Sequence, residues 1–122
     1  MKTTYTTGIQ GEETAAEYLT RKFGMVLLEH RYRTRAGEID LILEDGDTVV
    51  FAEVKTRKTG DPGNGLSAVN NAKQKRIAQG AVIYLIQKGW TRRTVRFDLV
   101  EICGGEILYI PNAFQPYGKL RV

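Results

Sequence analysis

The stretch GEIDLILEDGDTVVFAEVK, residues 37–55, constrains the fold of this chain more than any other. It reads as a β-hairpin, because two apolar runs flank Asp45-Gly46, a dipeptide typical of tight hairpin turns. One face of the hairpin is apolar throughout. The other face is apolar near the turn and charged at the open end, a pattern that indicates cover by another element along most of its length.

The charged end of the hairpin is the first candidate site. A turn at Asp45-Gly46 places Glu38 opposite Glu53, and Asp40 opposite Phe51. Because strand side chains alternate, one face then carries four charged residues: Glu38, Asp40, Glu53 and Lys55. A slip of one residue in the register would separate them.

A helix is predicted from about Thr7 to Phe23, and Gly24 provides its C-terminal stop. Its apolar stripe projects back onto Glu12, so this carboxylate faces inward. Two interpretations are open. An acid in the first helical turn is favoured by the helix dipole. Alternatively, this helix covers the charged hairpin face and adds Glu12 to Asp40 and Glu53 at one rim.

The rest of the chain continues with helices and strands. We predict a strand over MVLLEHRYR, a helix from about Ser67 to Lys88, and two final strands, TVRFDLVEI and EILYIPNAF. The inner side of the second helix is predicted to comprise Ala68, Ala72, Ile77, Ala81, Tyr84 and Leu85. The order α-β-β-β-α-β-β predicts an α/β fold, with a mixed sheet of four to five strands flanked by helices, in one domain over residues 1–122.

Composition and charge limit the function classes. The chain has 18 Lys and Arg against 14 Asp and Glu, a net charge of +4, and a pI near 9.3, which permits a polyanionic partner. The single Cys103 cannot form an internal disulfide. No apolar run reaches the roughly 18 residues of a membrane span, and the N-terminus lacks the hydrophobic region of a signal peptide. We expect a cytoplasmic protein without a membrane partner.

Clustered carboxylates favour protons or a cation. Two unit charges about 5 Å apart repel by about 3 kcal/mol at an effective dielectric of about 20, so such a site raises pKa values or binds a metal ion. Carboxylates without accompanying His or Cys favour Mg²⁺ or Mn²⁺. Lys55 beside them could orient an attacking water or stabilise charge on a phosphate. The lysine at this position is explained if phosphodiester chemistry takes place at that rim.

Asp40 followed a strand later by Glu53-Val54-Lys55 resembles the signature of the PD-(D/E)XK nuclease superfamily. More narrowly, the chain resembles the YraN-type family of predicted bacterial endonucleases. That resemblance covers nearly the whole chain. It is carried by GxxGE at 8–12, GEIDLI at 37–42, FAEVKTR at 51–57, RFDLV at 96–100 and NAF at 112–114.

The resemblance implies a restriction-endonuclease-like fold and phosphodiester hydrolysis that depends on Mg²⁺ or Mn²⁺. Asp40, Glu53 and Lys55 would be the catalytic residues. Asp40 and Glu53 would bind the metal ion, and Glu12 matches a third ligand, the first-helix glutamate of archaeal junction-resolving enzymes. Glu38 would lie behind the ligands in a supporting role.

The resemblance also implies nucleic acid as the partner, with DNA favoured over RNA and branched DNA as a candidate. Departures from the superfamily pattern are small: Ile39 replaces the proline, and Gln79 precedes Tyr84 by five residues rather than four, which weakens an exonuclease assignment.

A homodimer would bring two sites to two strands, although the sequence identifies no interface. The predicted phosphate contacts are Arg33, Arg35, Arg57, Lys73, Lys75 and Arg76, near a glycine-rich loop at 58–66 that could close over a bound strand.

Two other functions stay open. A nucleic-acid-binding module could retain this fold without cutting. An interaction adaptor could present the acids only as a solvated hairpin face, with no metal dependence.

Overall fold

The computed structural model describes residues 4–57 and 69–115. The fold is α/β, with a five-stranded mixed sheet flanked by two helices, which confirms the predicted class and element order and is consistent with a restriction-endonuclease-like architecture. The prediction of one domain over residues 1–122 reaches beyond these ranges and stays a prediction. The elements are α1 (Thr4–Phe23), β1 (Val26–Thr34), β2 (Gly37–Asp45), β3 (Thr48–Arg57), α2 (Asn71–Lys88), β4 (Thr94–Cys103) and β5 (Glu106–Ile110).

The strands lie in the sheet in their chain order, β1-β2-β3-β4-β5. Only β3 and β4 run parallel, and the chain between them contains α2; the other neighbours are antiparallel. Parallel pairing brings the C-terminal ends of β3 and β4 to the same edge of the sheet. That edge adjoins the open end of the β2-β3 hairpin.

The hairpin is buried on both faces, as its two-sided apolar pattern predicted. Leu41 and Ala52 belong to a core cluster with Ala15 and Leu19 of α1. Their neighbours along the same strands, Ile42, Val49 and Phe51, belong to a second cluster with Ile77, Ala81 and Tyr84 of α2. The prediction that the first helix covers the face containing Phe51 is therefore wrong. The parallel β3-α2-β4 crossover brings α2 to that face instead.

Helix α1 begins at Thr4, three residues before its predicted start at about Thr7. Glu12 consequently lies eight residues into the helix, well past the first turn. The interpretation of Glu12 as a first-turn acid stabilised by the helix dipole is wrong, because that effect is confined to the first turn. Its inward position needs another explanation.

Helix α2 begins later than predicted. Its N-cap is Asn70, whose side-chain oxygen accepts a hydrogen bond from the Lys73 backbone N–H at 2.9 Å. Ala72 lies in the first turn and is exposed, so its predicted burial is wrong. The predicted start at Ser67 and the predicted buried Ala68 lie outside the described residues. The other predicted core positions are confirmed: Ile77, Ala81, Tyr84 and Leu85.

The hairpin turn is Gly46-Asp47, one residue later than predicted, and Asp45 pairs with Thr48. Gly46 has a φ of 60°, which a residue without a Cβ adopts easily. The register is shifted by two residues, so Phe51 pairs with Ile42 rather than Asp40. Because the side-chain period is two, a shift of two residues keeps the predicted faces, except that Ile39 packs with Ile42 and Phe51 rather than with Leu41. In the described ranges no helix is both long and apolar enough to cross a membrane.

Candidate metal centre

Four carboxylates meet at the open end of the β2-β3 hairpin. Three of them each offer one oxygen, and these three oxygens lie within 4.8 Å of one another. They are Glu12 of α1, and Glu38 and Asp40 of β2. Glu53 of β3 adjoins them, since its Oε2 accepts a hydrogen bond from the Asp40 backbone N–H at 3.4 Å. The site thus draws side chains from three elements that are separate in sequence.

An interruption of strand alternation places Asp40 at this meeting point. Ile39 packs in the α2-side core, whereas Leu41, two residues later, packs in the α1-side core. Regular strand residues two apart share a face, so the alternation breaks between these two residues. Asp40 lies at the break, and its Oδ2 accepts a hydrogen bond from the Val54 backbone N–H at 2.8 Å. This bond fixes the carboxylate between the two helices.

Strand β1 carries a matching irregularity. His30 pairs with Leu41 and Tyr32 pairs with Ile39, which places Arg31 beside Asp40. Arg31 has a φ of 50°, a left-handed conformation that is uncommon for an arginine in a strand. Such conformations concentrate at functional sites, where the surrounding structure holds them.

Three cations lie among the carboxylates. The Nε of Arg31 lies 2.9 Å from Glu12 Oε1, and its Nη1 lies 3.8 Å from Glu38 Oε1. The Nζ of Lys73 lies 3.2 Å from Glu53 Oε1. The amino group of Lys55 lies beside that of Lys73, so two amino groups share the end of the site nearest α2. Arg31 was not predicted as a site residue, because nothing in the local sequence signals its left-handed turn.

Burial raises the pKa values of the carboxyl groups. The pKa of Glu12 rises to about 7, through burial and then the charge of Asp40, against the lowering effect of Arg31. The pKa of Glu53 rises to about 8 for the same two reasons, against Lys73. Burial also raises the pKa of Asp40. The metal-free site therefore retains protons near neutral pH, and its ion pair between Lys73 and Glu53 forms fully only at higher pH.

The pKa values of the two lysines are shifted in opposite directions. Contact with the Lys73 amino group, followed by burial, lowers the pKa of Lys55. Burial lowers the pKa of Lys73 too, but its contacts with Lys55 and Glu53 outweigh burial, and the pKa is raised. Lys73 therefore holds its proton more firmly, and Lys55 is the more easily deprotonated member of the pair.

The donor set suits a hard divalent cation. All the candidate ligands are carboxylate oxygens, which Mg²⁺ and Mn²⁺ prefer. An octahedral ion with bonds of about 2.1 Å keeps its ligand oxygens within about 4.2 Å of one another. The 4.8 Å spread of Glu12, Glu38 and Asp40 is only slightly wider. In this arrangement Glu38, expected in a supporting role, lies in the oxygen cluster, and Glu53 adjoins Asp40 without belonging to that group of three.

The predicted nucleic-acid contacts divide into three groups. Lys73 lies inside the site against Glu53. Arg33 is largely exposed but pairs with Glu38 at 2.9 Å, and the guanidinium of Arg57 pairs with the fully buried carboxylate of Glu101. Three others have exposed side chains: Arg35, Lys75 and Arg76. The predicted closing loop at 58–66 falls outside the described residues.

The RFDLV block contributes to the fold rather than to the site. Asp98 is fully buried and accepts hydrogen bonds from Arg96 Nε at 2.9 Å and from the Asn112 backbone N–H at 2.8 Å. It also accepts a hydrogen bond from the Tyr109 hydroxyl. These bonds attach the segment after β5 to β4, and there Phe114 stacks on Phe97.

Fold and site together define an α/β protein with a carboxylate-rich candidate metal centre at the end of its sheet. The chain belongs to the family described as "Uncharacterised protein family UPF0102", whose model matches residues 11–102. This range begins directly before Glu12 and contains every carboxylate and lysine of the site.

Similar bacterial proteins align over most of the chain. The UPF0102 protein of Alkalilimnicola ehrlichii is 43% identical over 113 residues, which cover 92% of this chain and 89% of the relative. That of Alkaliphilus metalliredigens is 42% identical over 110 residues, covering 88% and 96%. That of Geobacter sulfurreducens is 38% identical over 113 residues, covering 88% of each chain. Family membership by itself assigns no chemistry, which has to be argued from the site.

Proposed function

We propose that this protein is a divalent-metal-dependent nuclease of the PD-(D/E)XK superfamily, acting as an endonuclease on DNA, with branched DNA as a candidate substrate. One observation carries the proposal: carboxylates from α1, β2 and β3 converge beside a strand lysine. Asp40 and Glu53 belong to one hairpin, but Glu12 comes from α1, and a solvated hairpin face would not bring a helical carboxylate to them. The buried position of Glu53, which is 2% exposed, argues further against a merely solvated role.

In this proposal Asp40 is the central ligand, and Glu12 with either Glu38 or Glu53 completes the protein's share of the coordination. A bound Mg²⁺ or Mn²⁺ would stabilise charge on a phosphate and make a bound water more acidic. The hydrogen bond from Val54 N–H to Asp40 holds the carboxylate in its orientation without using both oxygens. Anchoring of this kind keeps a ligand set preorganised.

Lys55 lies where its amino group can orient a water or contact a phosphate oxygen. Its contact with Lys73 places a second positive charge at the same position. Two adjacent ammonium groups repel each other and are stabilised by a phosphate between or beside them. Lys73, whose Nζ lies 3.2 Å from Glu53 Oε1, also orients that carboxylate, whose other oxygen accepts the hydrogen bond from the Asp40 backbone N–H.

Nucleic acid would approach along the exposed basic side chains of Arg35, Lys75 and Arg76, which adjoin the site through the β1-β2 turn and the start of α2. Contacts of this kind bind the phosphate backbone and carry no sequence information. Recognition would then depend on the shape of the DNA rather than on a defined sequence. A homodimer would present two such sites to two strands.

The test is a calorimetric titration of Mn²⁺ into the wild type, Asp40→Asn and Asp47→Asn, followed by incubation of each with linear and branched DNA. Asp47→Asn removes the same charge from an exposed position at the far end of the same hairpin. We expect Mn²⁺ binding and DNA cleavage in the wild type and in Asp47→Asn, and loss of both in Asp40→Asn. DNA binding that survives Asp40→Asn without any cleavage in the wild type would instead support a non-catalytic module.

A further inference from the structure

The guanidinium of Arg31 holds two members of the oxygen cluster. Its Nε and Nη2 donate to the two oxygens of Glu12, at 2.9 and 3.4 Å, and its Nη1 lies 3.8 Å from Glu38 Oε1. The side chain is only 24% exposed, so these contacts are formed away from bulk solvent. A planar guanidinium suits this two-pronged arrangement better than an ammonium group does.

The same carboxylates are candidates to bind a divalent ion. Glu12, Glu38 and Asp40 are the three residues whose oxygens lie within 4.8 Å of one another. An ion that used an oxygen of Glu12 and one of Glu38 would therefore lie directly beside the guanidinium. The charge of the ion and that of the adjacent guanidinium would repel each other strongly, because water is largely excluded there. Both cations cannot keep these contacts at once.

We propose that Arg31 is a displaceable internal counter-ion: it neutralises Glu12 and Glu38 when the site has no metal, and it leaves them when a divalent ion binds. This inference rests on the proposed function, and it adds a positioning residue that acts through the metal ligands. The left-handed backbone at Arg31 is what turns this side chain toward α1, whereas its neighbour Arg33 remains 78% exposed.

A released Arg31 would be available to a phosphate of the substrate, which arginine binds through two parallel hydrogen bonds. Nucleic acid would then favour the metal-bound arrangement, and metal would favour binding of nucleic acid. Such coupling is reciprocal, so each ligand would change the affinity of the other by the same factor. The site would bind metal weakly alone and more tightly with its substrate.

The first measurement is calorimetric titration of Mn²⁺ into metal-free protein without nucleic acid. It is made at about pH 8, where Glu12, with a pKa of about 7, is mostly ionised. The proteins are the wild type, Arg31→Met, Arg31→Gly and Arg21→Met. Glycine adopts the φ of 50° without strain, so Arg31→Gly keeps the test valid if Arg31→Met folds poorly. Arg21→Met is the matched control, because Arg21 also pairs with a glutamate, Glu17, but this exposed pair lies outside the carboxylate cluster.

Both Arg31 variants are expected to bind Mn²⁺ about tenfold more tightly than the wild type, a typical size for coupling between two sites. The Mn²⁺ affinity of Arg21→Met is expected to stay within about twofold of the wild type, because its exposed ion pair lies away from the cluster. Thermal melting provides a second readout. Without metal the Arg31 variants should melt below the wild type, because Glu12 loses its counter-charge and Glu38 keeps only Arg33 among the described residues. Saturating Mn²⁺ should narrow or reverse this difference in melting temperature between the Arg31 variants and the wild type, since tighter binding stabilises the folded state more.

The outcomes separate the inference from the proposed function. Clear, Asp40-dependent Mn²⁺ binding in the wild type that is unchanged or weaker in both Arg31 variants would overturn the inference alone. No Asp40-dependent binding in the wild type or in either Arg31 variant would overturn both. Binding that appears only in the Arg31 variants would support the inference strongly, because it would mean that Arg31 outcompetes the ion in the wild type.

Discussion

Helix α1 crosses strand β3 at a point where a Cβ atom on Gly11 would lie 2.1 Å from the Oγ1 of Thr56. Real side chains do not approach this closely, so only glycine allows the crossing as it stands. Gly11 directly precedes Glu12, and Thr56 directly follows Lys55. The close approach therefore sets how far the helical carboxylate lies from the strand that carries the lysine.

Gly11→Ala is expected to push α1 away from β3 and to weaken Mn²⁺ binding, together with a decrease of about 1–3 kcal/mol in the free energy of unfolding, as for overpacked positions. Urea denaturation and metal calorimetry measure the two effects. Thr56→Ala removes the clashing oxygen and should restore most of the stability and of the Mn²⁺ affinity in the double variant. If the two substitutions are simply additive in both measurements, this contact does not set the position of Glu12.

The raised carboxyl pKa values predict how the metal-free protein responds to pH. In the unfolded chain Glu12 and Glu53 titrate near 4.5, whereas in the fold their pKa values are about 7 and about 8. The folded state therefore holds protons that the unfolded state releases. The stability contributed by the protonated groups is complete below the unfolded value and is lost as pH rises toward about 8. Melting temperatures of the metal-free protein should fall across that range.

Glu53→Gln provides the control for this pH dependence, because it cannot ionise and should flatten the upper part of the decline. Metal binding should show the opposite trend: Mn²⁺ affinity should rise with pH through about 7 to 8, with protons released on binding. Proton release is measured by calorimetry in buffers of different ionisation enthalpy. If the Mn²⁺ affinity does not depend on pH and no protons are released, neither Glu12 nor Glu53 takes part in binding the metal ion.

The architecture could be predicted from the sequence, because the helices and the strands each follow a simple period of apolar residues. The hairpin alternation indicated the two buried faces, and the wrong turn residue did little harm, since a shift of two residues preserves the faces over the paired residues from Leu41 to Ala52. The pattern could not identify which helix covers which face, because both helices present apolar stripes. That choice depends on the parallel crossover between β3 and β4, which has no local signature.

The parts of the site that escaped prediction depend on tertiary contacts. The left-handed φ of Arg31 and the break in alternation at Asp40 are held by neighbouring strands, and no glycine marks either one. Arg57 was chosen as a phosphate contact because it lies near Lys55 in sequence. The structure directs its guanidinium to Glu101, which lies on the parallel neighbour β4 and directly opposite Lys55 in the register. Nearness in sequence therefore identified the strand but not the partner.

The exposed basic side chains near the site give the last prediction. Arg76 of α2 adjoins the β1-β2 turn, since a Cβ on Gly37 would lie 3.9 Å from the Arg76 Cβ. Arg35 in that turn and Lys75 beside Arg76 are exposed as well. Replacing all three with alanine should weaken DNA binding and reduce the slope of log affinity against log salt by about 0.9 for each phosphate that the protein no longer neutralises. Fluorescence anisotropy with a short duplex across a salt series measures both effects.

The charge-matched control replaces three other exposed basic residues with alanine: Arg21, Lys22 and Arg92. Both triple variants have the same net charge, so a general decrease in positive charge would weaken DNA binding by both equally. We expect the control to keep most of the wild-type salt slope. Both variants should keep wild-type Mn²⁺ binding, because none of the six side chains pairs with a carboxylate of the site among the described residues. Equal slopes for the two variants would show that DNA responds to net charge alone, and would remove Arg35, Lys75 and Arg76 as a defined contact surface.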